Sequence, residues 1–470
     1  MELQNLFDQI VAFAQECGME QKTSSNPKGN AIVRDNATGK QNNQEDFLKG
    51  AYFGFIRDEE ELSGGYHDFS LVFFPQIDDK ACVIALGVGS LGFANDYDIA
   101  SLPWVRRMFS MLRKEGAKTY FKNDFSDIDS SSLDLMTEIK NNYPELKKVI
   151  DTYKKVLPAA EILDFSDENK ESENLNIIKQ WIATYALMRN WANKTQMKTL
   201  KKYLPKDQRK PLNEAQIYNI LKDNRFVVLQ GAPGTGKTRS ALIVAERFDR
   251  VFFEQFHAET TYSDFIYGIR PKLNTDTLSY EEQKGVLYQA IEYAQNYSNE
   301  NVLLIIDEIN RANLSNILGP VFYLFEKNQS KQVYSFKIGE LELKKLPENL
   351  FVVATMNTAD RSLAVVDFAL RRRFTWLTLR PHILPEEDNF RQDYFEDFDK
   401  IFQKYASDDE LNLQPGHSYF IADSEEKMKE RLEYELMPLI KEYLNEGYLV
   451  KAKDEFSNYF YKKLGVLMYE

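Results

Sequence analysis

The chain has 470 residues, a formal net charge of −13 and an apolar fraction of 43%. This length predicts two or three domains with sizeable cores. The acidic balance argues against a protein coated in basic surface for nucleic acid, although it is compatible with a local basic groove. The two cysteines, Cys17 and Cys82, form no CxxC pair, which argues against a disulfide framework. The N-terminal residues do not resemble a secretory signal and no apolar run reaches about 20 residues, so a soluble cytoplasmic protein is expected.

The first part of the chain predicts an α+β domain over residues 1–160. Three helices and two strands are predicted there from apolar periodicity: helices at 2–17, 103–115 and 131–142, and strands at 69–75 and 81–88. Residues 20–47 are rich in polar side chains and predict a mobile loop.

Residues 161–211 predict a linker followed by a helical connector. The segment 164–173 is acidic, polar and nearly without apolar residues, which is typical of a linker. Residues 177–203 predict a helix that ends in several lysines. A solvated helix face is the favoured interpretation of these lysines, ahead of a nucleic-acid contact.

From residue 212 the pattern is strand, loop and helix, repeated. Five apolar strands are predicted, at 226–230, 250–256, 302–307, 350–356 and 374–379. This rhythm predicts a parallel sheet covered on both faces, in an α/β nucleotide-binding subdomain over 212–384. Residues 334–343 predict an inserted hairpin, and residues 385–470 predict a helical lid subdomain.

A complete phosphate-binding pattern, GxxxxGK[ST], follows the first of these strands and opens a helix, which is the context that the motif requires. Its residues are Gly231, Ala232, Pro233, Gly234, Thr235, Gly236, Lys237 and Thr238. The glycines let backbone amides point at a triphosphate. Lys237 is expected to reach the β- and γ-phosphates, and the Thr238 hydroxyl to bind Mg²⁺.

An apolar strand ending in two carboxylates, Asp307 and Glu308, follows about 70 residues later. Acidic residues commonly close strands, so the pair alone is a weak signal. When such a pair follows a phosphate-binding loop in the sequence, it predicts a catalytic site. Asp307 is then expected to hold the Mg²⁺ shell, and Glu308 to polarise a water for attack on the γ-phosphate.

Polar and basic residues follow the strand at 350–356. Asn357 is placed to hydrogen-bond the attacking water and a γ-phosphate oxygen, unless it is an ordinary strand-ending residue. Ser362 is a candidate N-cap for a helix over 363–373. Successive helix positions differ by roughly 100°, so the three arginines at its end cannot share one target. We expect Arg372 and Arg373 to act on a neighbouring subunit, and Arg371 to pack locally or compensate the helix dipole.

Residues 212–470 resemble McrB, the AAA+ GTPase motor of modification-dependent restriction systems. Five segments carry the resemblance, in the same order: 255–257 with 262–271, 307–314, 356–362, 369–374 and 416–420. The resemblance implies a multidomain protein whose C-terminal part is an AAA+ P-loop NTPase with a helical lid. It also implies that Asn357 is the sensor residue and that Arg372 and Arg373 are the trans-acting arginine pair.

The resemblance further implies a hexameric ring that hydrolyses GTP with Mg²⁺. It also implies a separate McrC-like nuclease subunit as partner. DNA, modified or unmodified, would be translocated before that subunit cleaves it. GTP is favoured over ATP by analogy alone, because no residue here must contact a guanine. His257 and His417 are equally compatible with a nucleotide pocket and with packing. Two other interpretations stay open: an ATP-dependent remodelling protein of the MoxR or dynein-like kind that acts on protein, and a nucleotide-gated sensing and assembly protein.

By position, residues 1–160 correspond to the recognition domain of that family. Readers of modified DNA can extrude a base into an aromatic pocket. Five aromatic residues are candidate walls: Phe73, Phe74, Phe93, Tyr97 and Trp104. The favoured alternative is that they form the core of a small α+β domain. Short ExK triplets occur, but none follows a Pro-Asp at a useful distance, so no nuclease activity is expected in this chain.

Overall fold

A computed structural model describes residues 3–35, 52–60, 66–76, 80–89, 92–112, 119–121, 141–205, 211–272, 279–326, 335–360, 368–385 and 387–469. The chain divides into two compact units, Met1–Gln208 and Arg209–Glu470. Within the ranges just given, no helix is both long enough and apolar enough to cross a bilayer.

An antiparallel sheet forms the centre of the first unit. In the described residues its strands are β1 Ala31–Asp35, β2 Phe53–Arg57, β3 Ser70–Gln76, β4 Ala81–Gly87, β5 Thr119–Phe121 and β6 Ala159–Asp164, in the order β1-β2-β3-β4-β6-β5. Along β3, Leu71 and Phe73 belong to one apolar cluster, whereas Val72 and Phe74 belong to another. Because side chains alternate along a strand, the sheet is buried on both faces.

The first unit also contains six described helices: α1 Leu3–Glu16, α2 Tyr97–Ala100, α3 Pro103–Ser110, α4 Pro144–Tyr153, α5 Glu171–Arg189 and α6 Gln196–Tyr203. Helix α5 is attached to the sheet by polar contacts as well as apolar ones. Trp181 Nε1 donates to Glu161 Oε2 at 2.9 Å, and Tyr185 Oη donates to the Phe69 carbonyl oxygen at 2.9 Å. Both aromatic rings are fully buried.

The structure differs from the predicted linker and connector at 161–211. Strand β6 pairs with β4 along Ala159–Asp164, and α5 packs in the same core as α1, so this stretch belongs to the first unit rather than following a domain that ends at 160. The acidic composition of 164–173 reflects the exposed turn between β6 and α5. A polar composition indicates that a segment is exposed to solvent. An exposed turn within a domain therefore has the same composition as a linker between domains.

Three other expectations for this unit need comment. Strand β1 lies within 20–47, which was expected to be a loop; a short apolar run at 31–33 pairs with β2 despite its polar surroundings. The predicted helix at 177–203 is two helices, because Asn190 takes a left-handed conformation with φ 55° that ends α5. Most of the predicted helix at 131–142 lies outside the described residues. Helix α1 and strands β3 and β4 are confirmed.

The second unit is built on a parallel sheet. Its strands are β7 Phe226–Gly231, β8 Arg250–Gln255, β11 Val302–Asp307, β14 Leu350–Asn357 and β15 Thr375–Thr378, in the order β15-β7-β14-β11-β8. Leu304 and Ile306 contribute to one apolar cluster, and Leu303 and Ile305 to another, so both faces are covered as predicted. Two hairpins accompany the sheet: β9 Tyr267–Pro271 with β10 Tyr280–Lys284, and the predicted hairpin, β12 Phe336–Ile338 with β13 Leu341–Leu343.

The described helices of the second unit are α7 Glu214–Asn224, α8 Lys237–Ala245, α9 Tyr262–Phe265, α10 Val286–Asn296, α11 Leu314–Leu318, α12 Phe368–Arg373, α13 Gln392–Tyr405, α14 Glu425–Arg431, α15 Met437–Asn445 and α16 Lys453–Leu464. Helix α7 begins with a capping box between Asn213 and Gln216, which satisfies backbone amides at the helix start. Residues beyond 385 are mostly helical, as predicted, and surround an aromatic cluster that includes Phe398, Phe402 and Phe456.

Candidate nucleotide-binding site

The phosphate-binding loop connects β7 to α8. Gly234 and Gly236 have φ angles of 77° and 81°, a region that residues with a Cβ rarely adopt. A Cβ on Gly231 would lie 2.4 Å from the Leu379 carbonyl oxygen. The loop therefore needs glycine at all three positions, and its backbone turns into α8 with Gly236 as the N-cap.

Lys237 stands at the first position of α8, where the helix dipole favours an anion. Its side chain is buried, and its Nζ donates to the Ala232 carbonyl oxygen at 2.9 Å. Burial lowers the pKa of Lys237, while the charges of Glu308 and Asp307 raise it. A buried ammonium at the start of a helix is the arrangement that a phosphate chain neutralises.

Two hydroxyls converge on one carboxylate oxygen at the end of β11. Thr238 Oγ1 donates to Asp307 Oδ1 at 2.8 Å, and Thr355 Oγ1 donates to the same oxygen at 2.6 Å. Thr238 and Asp307 thus present oxygen atoms side by side, and oxygen is the ligand type that Mg²⁺ prefers. These two residues fit a magnesium ion bound next to the phosphate-binding loop.

Glu308 follows Asp307 in a left-handed conformation with φ 55°. This conformation is uncommon for a residue with a side chain. The Glu308 amide donates to Thr355 Oγ1 at 3.0 Å, and Arg311 Nε lies 3.3 Å from Glu308 Oε2. A carboxylate in this position can accept a proton from a water molecule.

Asn357 ends β14, directly beside the start of the phosphate-binding loop. It pairs with Gly231 across the sheet and is buried. Its carbonyl oxygen accepts from Asn310 Nδ2 at 3.2 Å, and its Oδ1 accepts from the Ala359 amide at 3.2 Å. The structure therefore brings the carboxyl ends of β7, β11 and β14 together, which is where open α/β sheets bind ligands.

The three arginines at the end of α12 have different surroundings. The Arg371 guanidinium lies 5.1 Å from the centroid of the Trp376 ring. Arg373 forms an ion pair with Glu326, and Arg372 is exposed. The predicted N-cap, Ser362, lies outside the described residues. Two positions of the three, Arg371 and Arg372, are therefore exposed in the single chain, and Arg373 is half-buried.

A loop from the helical part of the second unit contacts the phosphate-binding loop. The Gly416 amide donates to the Pro233 carbonyl oxygen at 2.8 Å, and the Ser418 amide donates to the Gly234 carbonyl oxygen at 3.1 Å. A Cβ on Gly416 would lie 1.9 Å from the Gly234 carbonyl carbon. Backbone therefore packs directly on backbone here, at a distance that only glycine permits.

Sequence reasoning missed several polar residues of this site. Thr355 forms hydrogen bonds with both Asp307 and Glu308. Arg311 lies between Glu308 and Asp360, and its Nη2 is 3.4 Å from Asp360 Oδ2. Thr355 could have been found, because it is the polar residue within the otherwise apolar run at 350–356. A polar side chain buried in a central strand needs a partner.

The aromatic residues proposed as walls of a base pocket do not surround one pocket. Phe73 lies in the cluster on one face of the first sheet, and Phe74 in the cluster on the other face. Phe93 and Tyr97 pair edge to face with ring centroids 5.4 Å apart, and Trp104 packs against the first cluster. Phe74 instead lines a different cavity, of about 390 Å³ with its open mouth included, together with three tyrosines: Tyr52, Tyr66 and Tyr153.

Comparison with known proteins adds to this geometry. Residues 226–374 match the family described as AAA domain (dynein-related subfamily). The chain is 32% identical, over 264 residues, to the Type IV methyl-directed restriction enzyme EcoKMcrB subunit of Escherichia coli (strain K12), covering 49% of this chain and 57% of that protein. It is 27% identical, over 192 residues, to the Type II restriction enzyme BsuMI component YdiS of Bacillus subtilis (strain 168), covering 32% of this chain and 55% of that protein.

The chain thus spans little more than half the length of these two relatives. Its parallel sheet, its glycine-constrained phosphate-binding loop and the two sequence similarities agree with one another. The chain therefore carries an AAA domain in its second unit and is similar to the McrB subunit.

Proposed function

We propose that this protein hydrolyses a nucleoside triphosphate, with GTP favoured over ATP, as the motor of an McrBC-like restriction system. The observation that carries the proposal is the contact of Thr238 and Thr355 with one oxygen of Asp307, at 2.8 and 2.6 Å, beside the phosphate-binding loop. It puts the oxygens suited to Mg²⁺ and the neighbouring Glu308 at the same end of the sheet.

In this mechanism the loop amides and Lys237 hold the phosphate chain, and Thr238 and Asp307 hold Mg²⁺. The ion supplies charge neutralisation at the phosphates when bound. Glu308 accepts a proton from the attacking water, and the Asn357 amide orients that water against the γ-phosphate. The protein contributes mainly positioning and electrostatic stabilisation, as in other phosphoryl transfers.

The complete site includes arginine from a neighbouring copy of the chain, in a ring that we propose to be a hexamer. Arg372 is exposed at the end of α12, which supports a role outside its own subunit. Arg373 pairs with Glu326 in the single chain and would exchange that partner on assembly. An arginine supplied in trans contributes about 10³–10⁵ in rate in comparable systems.

Arg371 offers the matched control for this step, because it packs on Trp376. In the assembled ring, Arg372→Ala with Arg373→Ala should reduce turnover by at least about 100-fold, within the range above, whereas Arg371→Ala should keep it within a few-fold. Full turnover by the double variant would refute the trans arginines, and equal losses in all variants would point to damage of α12.

The names of the relatives support a place in restriction. One is a methyl-directed restriction enzyme subunit and the other a restriction enzyme component. We extend this to an McrC-like nuclease subunit as partner and to DNA as the substrate that is moved. The first unit would then recognise the target, residues 212–384 would bind the nucleotide, and residues 385–470 would act as the lid.

The proposal is tested by measuring GTP and ATP turnover of the full chain, alone and with the candidate nuclease subunit. Glu308→Gln is the matched variant, because it keeps the size of the side chain and removes the proton acceptor. We expect GTP hydrolysis in the wild type, and tight binding without hydrolysis in the variant. Equal turnover in the two proteins would contradict the assignment of Glu308.

A second candidate is ATP-driven remodelling of a protein substrate, which the dynein-related description of the matched family favours. It predicts that ATP turnover exceeds GTP turnover and that a protein, rather than DNA, stimulates it. A nucleotide-gated sensing and assembly protein would differ from both. It would bind nucleotide tightly, turn it over little even with its partner, and be almost insensitive to Glu308→Gln.

A further inference from the structure

The first unit contains a cavity with aromatic walls on one face of its sheet. Its volume is about 390 Å³ with the open mouth included, and four rings line it, those of Tyr52, Tyr66, Phe74 and Tyr153. Most of the remaining lining is apolar. A concave, mainly apolar cavity with aromatic walls is typical of a site for a small ligand or for one group of a larger ligand.

The rings form walls that meet at steep angles. The Tyr52 centroid lies 5.2 Å from that of Tyr66, with 72° between the ring planes, and 6.2 Å from that of Tyr153, with 75° between the planes. Phe74 lies beside Tyr153 with centroids 5.2 Å apart. Parallel rings would hold a flat ligand by stacking, whereas walls at nearly right angles surround a compact, rounded group.

Backbone contacts hold these walls in place. Gly89 has a φ angle of 69°, and a Cβ on it would lie 2.5 Å from the Tyr66 carbonyl oxygen. The Val88 amide donates to the Val156 carbonyl oxygen at 3.0 Å, which ties the segment after α4 to the end of β4. The cavity is therefore largely preformed, as ligand sites usually are.

Gly87, the last residue of β4, keeps the interior of the cavity open. A Cβ on it would lie 3.0 Å from Ser70 Oγ, 3.7 Å from Val72 Cγ2 and 3.9 Å from Leu157 Cδ2. Those three residues line the cavity, so a side chain here would project among them. A glycine in a strand has no side chain to pack and often marks a place where a ligand approaches closely.

The lining offers few groups that could recognise a strongly hydrated ligand. Among the lining residues that the structure describes, none has a charged or an amide side chain. The Ser70 hydroxyl donates to the Gly87 carbonyl oxygen at 3.4 Å. Burial raises the pKa of Tyr153, so this phenol is neutral at physiological pH. The hydrogen-bonding edge of a nucleobase, or an ammonium with three N–H groups, would lose its bonds to water here without replacing them.

We propose that this cavity binds a quaternary ammonium group, the chemistry shared by a trimethylated lysine side chain and by small molecules such as choline. Such a group has no N–H to satisfy, its methyl groups fill apolar space, and its charge is attracted to the negative faces of aromatic rings. The net charge of −13 on the chain also favours a cation over an anion. This ligand is additional to the DNA proposed above, and its binding is independent of nucleotide hydrolysis.

A matched pair of probes tests the charge of the ligand. Choline and the neutral alcohol in which a tert-butyl group replaces the trimethylammonium group have nearly the same shape. Titrated into the full-length protein and followed by calorimetry, choline should bind roughly 5- to 30-fold more tightly than the alcohol, the range for a desolvated cation on aromatic rings. Equal binding of the two would overturn the proposal in favour of a purely apolar cavity.

A peptide with one trimethylated lysine, compared with the same peptide unmodified, distinguishes the sources of the group. Tighter binding of the trimethylated peptide than of choline assigns the ligand to a protein, and binding of choline alone assigns it to a small molecule. Either result supports the proposal. Failure of the wild type to bind choline and the trimethylated peptide would overturn it, and so would binding of a methylated cytosine nucleoside in place of both.

Substitutions of Tyr52 show whether the ring itself binds the probe. Tyr52→Phe keeps the aromatic face and should bind choline like the wild type, whereas Tyr52→Leu should weaken choline binding at least about fivefold. Tyr97→Leu is the control, because Tyr97 is an exposed aromatic residue of the same unit and does not line the cavity. It should leave choline binding unchanged.

Unfolding temperatures of the variants accompany these titrations. Tyr153→Leu provides the same comparison if Tyr52→Leu unfolds early, because Tyr153 is a half-buried ring on a different wall of the cavity. Wild-type affinity for choline in a folded Tyr52→Leu or Tyr153→Leu variant would overturn the proposal. A loss of choline binding in Tyr97→Leu equal to that in Tyr52→Leu would also overturn it, since the effect would then not come from the cavity.

Discussion

Thr355 Oγ1 donates a hydrogen bond of 2.6 Å to Asp307 Oδ1, and the same hydroxyl accepts one of 3.0 Å from the Glu308 amide. One buried side chain on β14 therefore sets the orientation of the carboxylate on β11 and supports the left-handed backbone of the residue that follows. This links the proposed magnesium ligand to the proposed proton acceptor through the sheet.

Thr355→Val should reduce turnover about 10- to 100-fold, the usual effect of losing a residue that orients a metal ligand. Valine keeps the shape of threonine but leaves Asp307 with one fewer donor and the Glu308 amide without its acceptor. Nucleotide affinity should change little, because Lys237 and the loop are untouched. Turnover and calorimetric binding measure the two effects.

Thr355→Ser is the control for this prediction, since it keeps the hydroxyl. It should retain most of the activity. If Thr355→Val were as active as the wild type, the hydroxyl would have no part in arranging the site.

Gly416→Ala should destabilise the second unit by about 1–3 kcal/mol, the usual cost of overpacking. The added Cβ would lie 1.9 Å from the Gly234 carbonyl carbon, so the two loops must separate. Nucleotide affinity should fall as well, because the phosphate-binding loop loses its support. Urea unfolding and nucleotide titration measure the change.

Gly319→Ala provides a matched control on the same unit. A Cβ there would meet no atom within 4 Å, and no positive φ is involved. It should unfold like the wild type. A stable Gly416→Ala variant with normal affinity would mean that the close contact between the loops is dispensable.

Arg189→Leu should destabilise the first unit by roughly 3–5 kcal/mol, because it removes the nearest cation of the buried Asp96 carboxylate. Arg189 lies 2.7 Å from Asp96 and also donates to Tyr185 Oη at 2.9 Å. Chemical unfolding of the full chain, followed by a probe in the first unit, measures the loss.

Lys198→Leu is the control for that prediction, because Lys198 is an exposed residue on α6. If α5 were a connector outside the first unit, the two substitutions would have similarly small effects. A large difference between them is expected from the structure, since α5 is part of the core.

Acid should destabilise the second unit through His417. Its pKa is lowered to about 4 in the folded protein, whereas an unfolded histidine titrates near 6.5. Between those values the unfolded chain binds more protons than the folded one, so stability is present above about pH 6.5 and is lost as the pH falls towards 4. Urea unfolding at pH 7 and pH 5 measures this loss.

His417→Phe should lose less stability between those two pH values than the wild type, because it has no proton to bind at this position. His257→Phe, at an exposed site, should behave like the wild type. The same pH dependence in all three proteins would assign the acid sensitivity to other groups.

Much of the second unit could be predicted from local sequence. The strands at 302–307 and 350–356 are apolar runs, and an apolar run bounded by polar residues is predictive when both faces of a sheet are buried. The prediction of a linker at 164–173 was wrong for a different reason. Its composition describes solvent exposure, and exposure does not distinguish a turn within a domain from a boundary between domains.

The sequence by itself determined the phosphate-binding loop, the paired carboxylates and the rhythm of the parallel sheet, because each depends on residues that are neighbours in the chain. Only the tertiary structure decided that Thr355 holds Asp307, that Gly416 packs on Gly234, and that one enclosed nitrogen of His417 has no hydrogen-bond partner in the described part of the chain. These contacts join residues far apart in sequence. They exist because strand order and loop packing bring the chain together, and no local pattern encodes that arrangement.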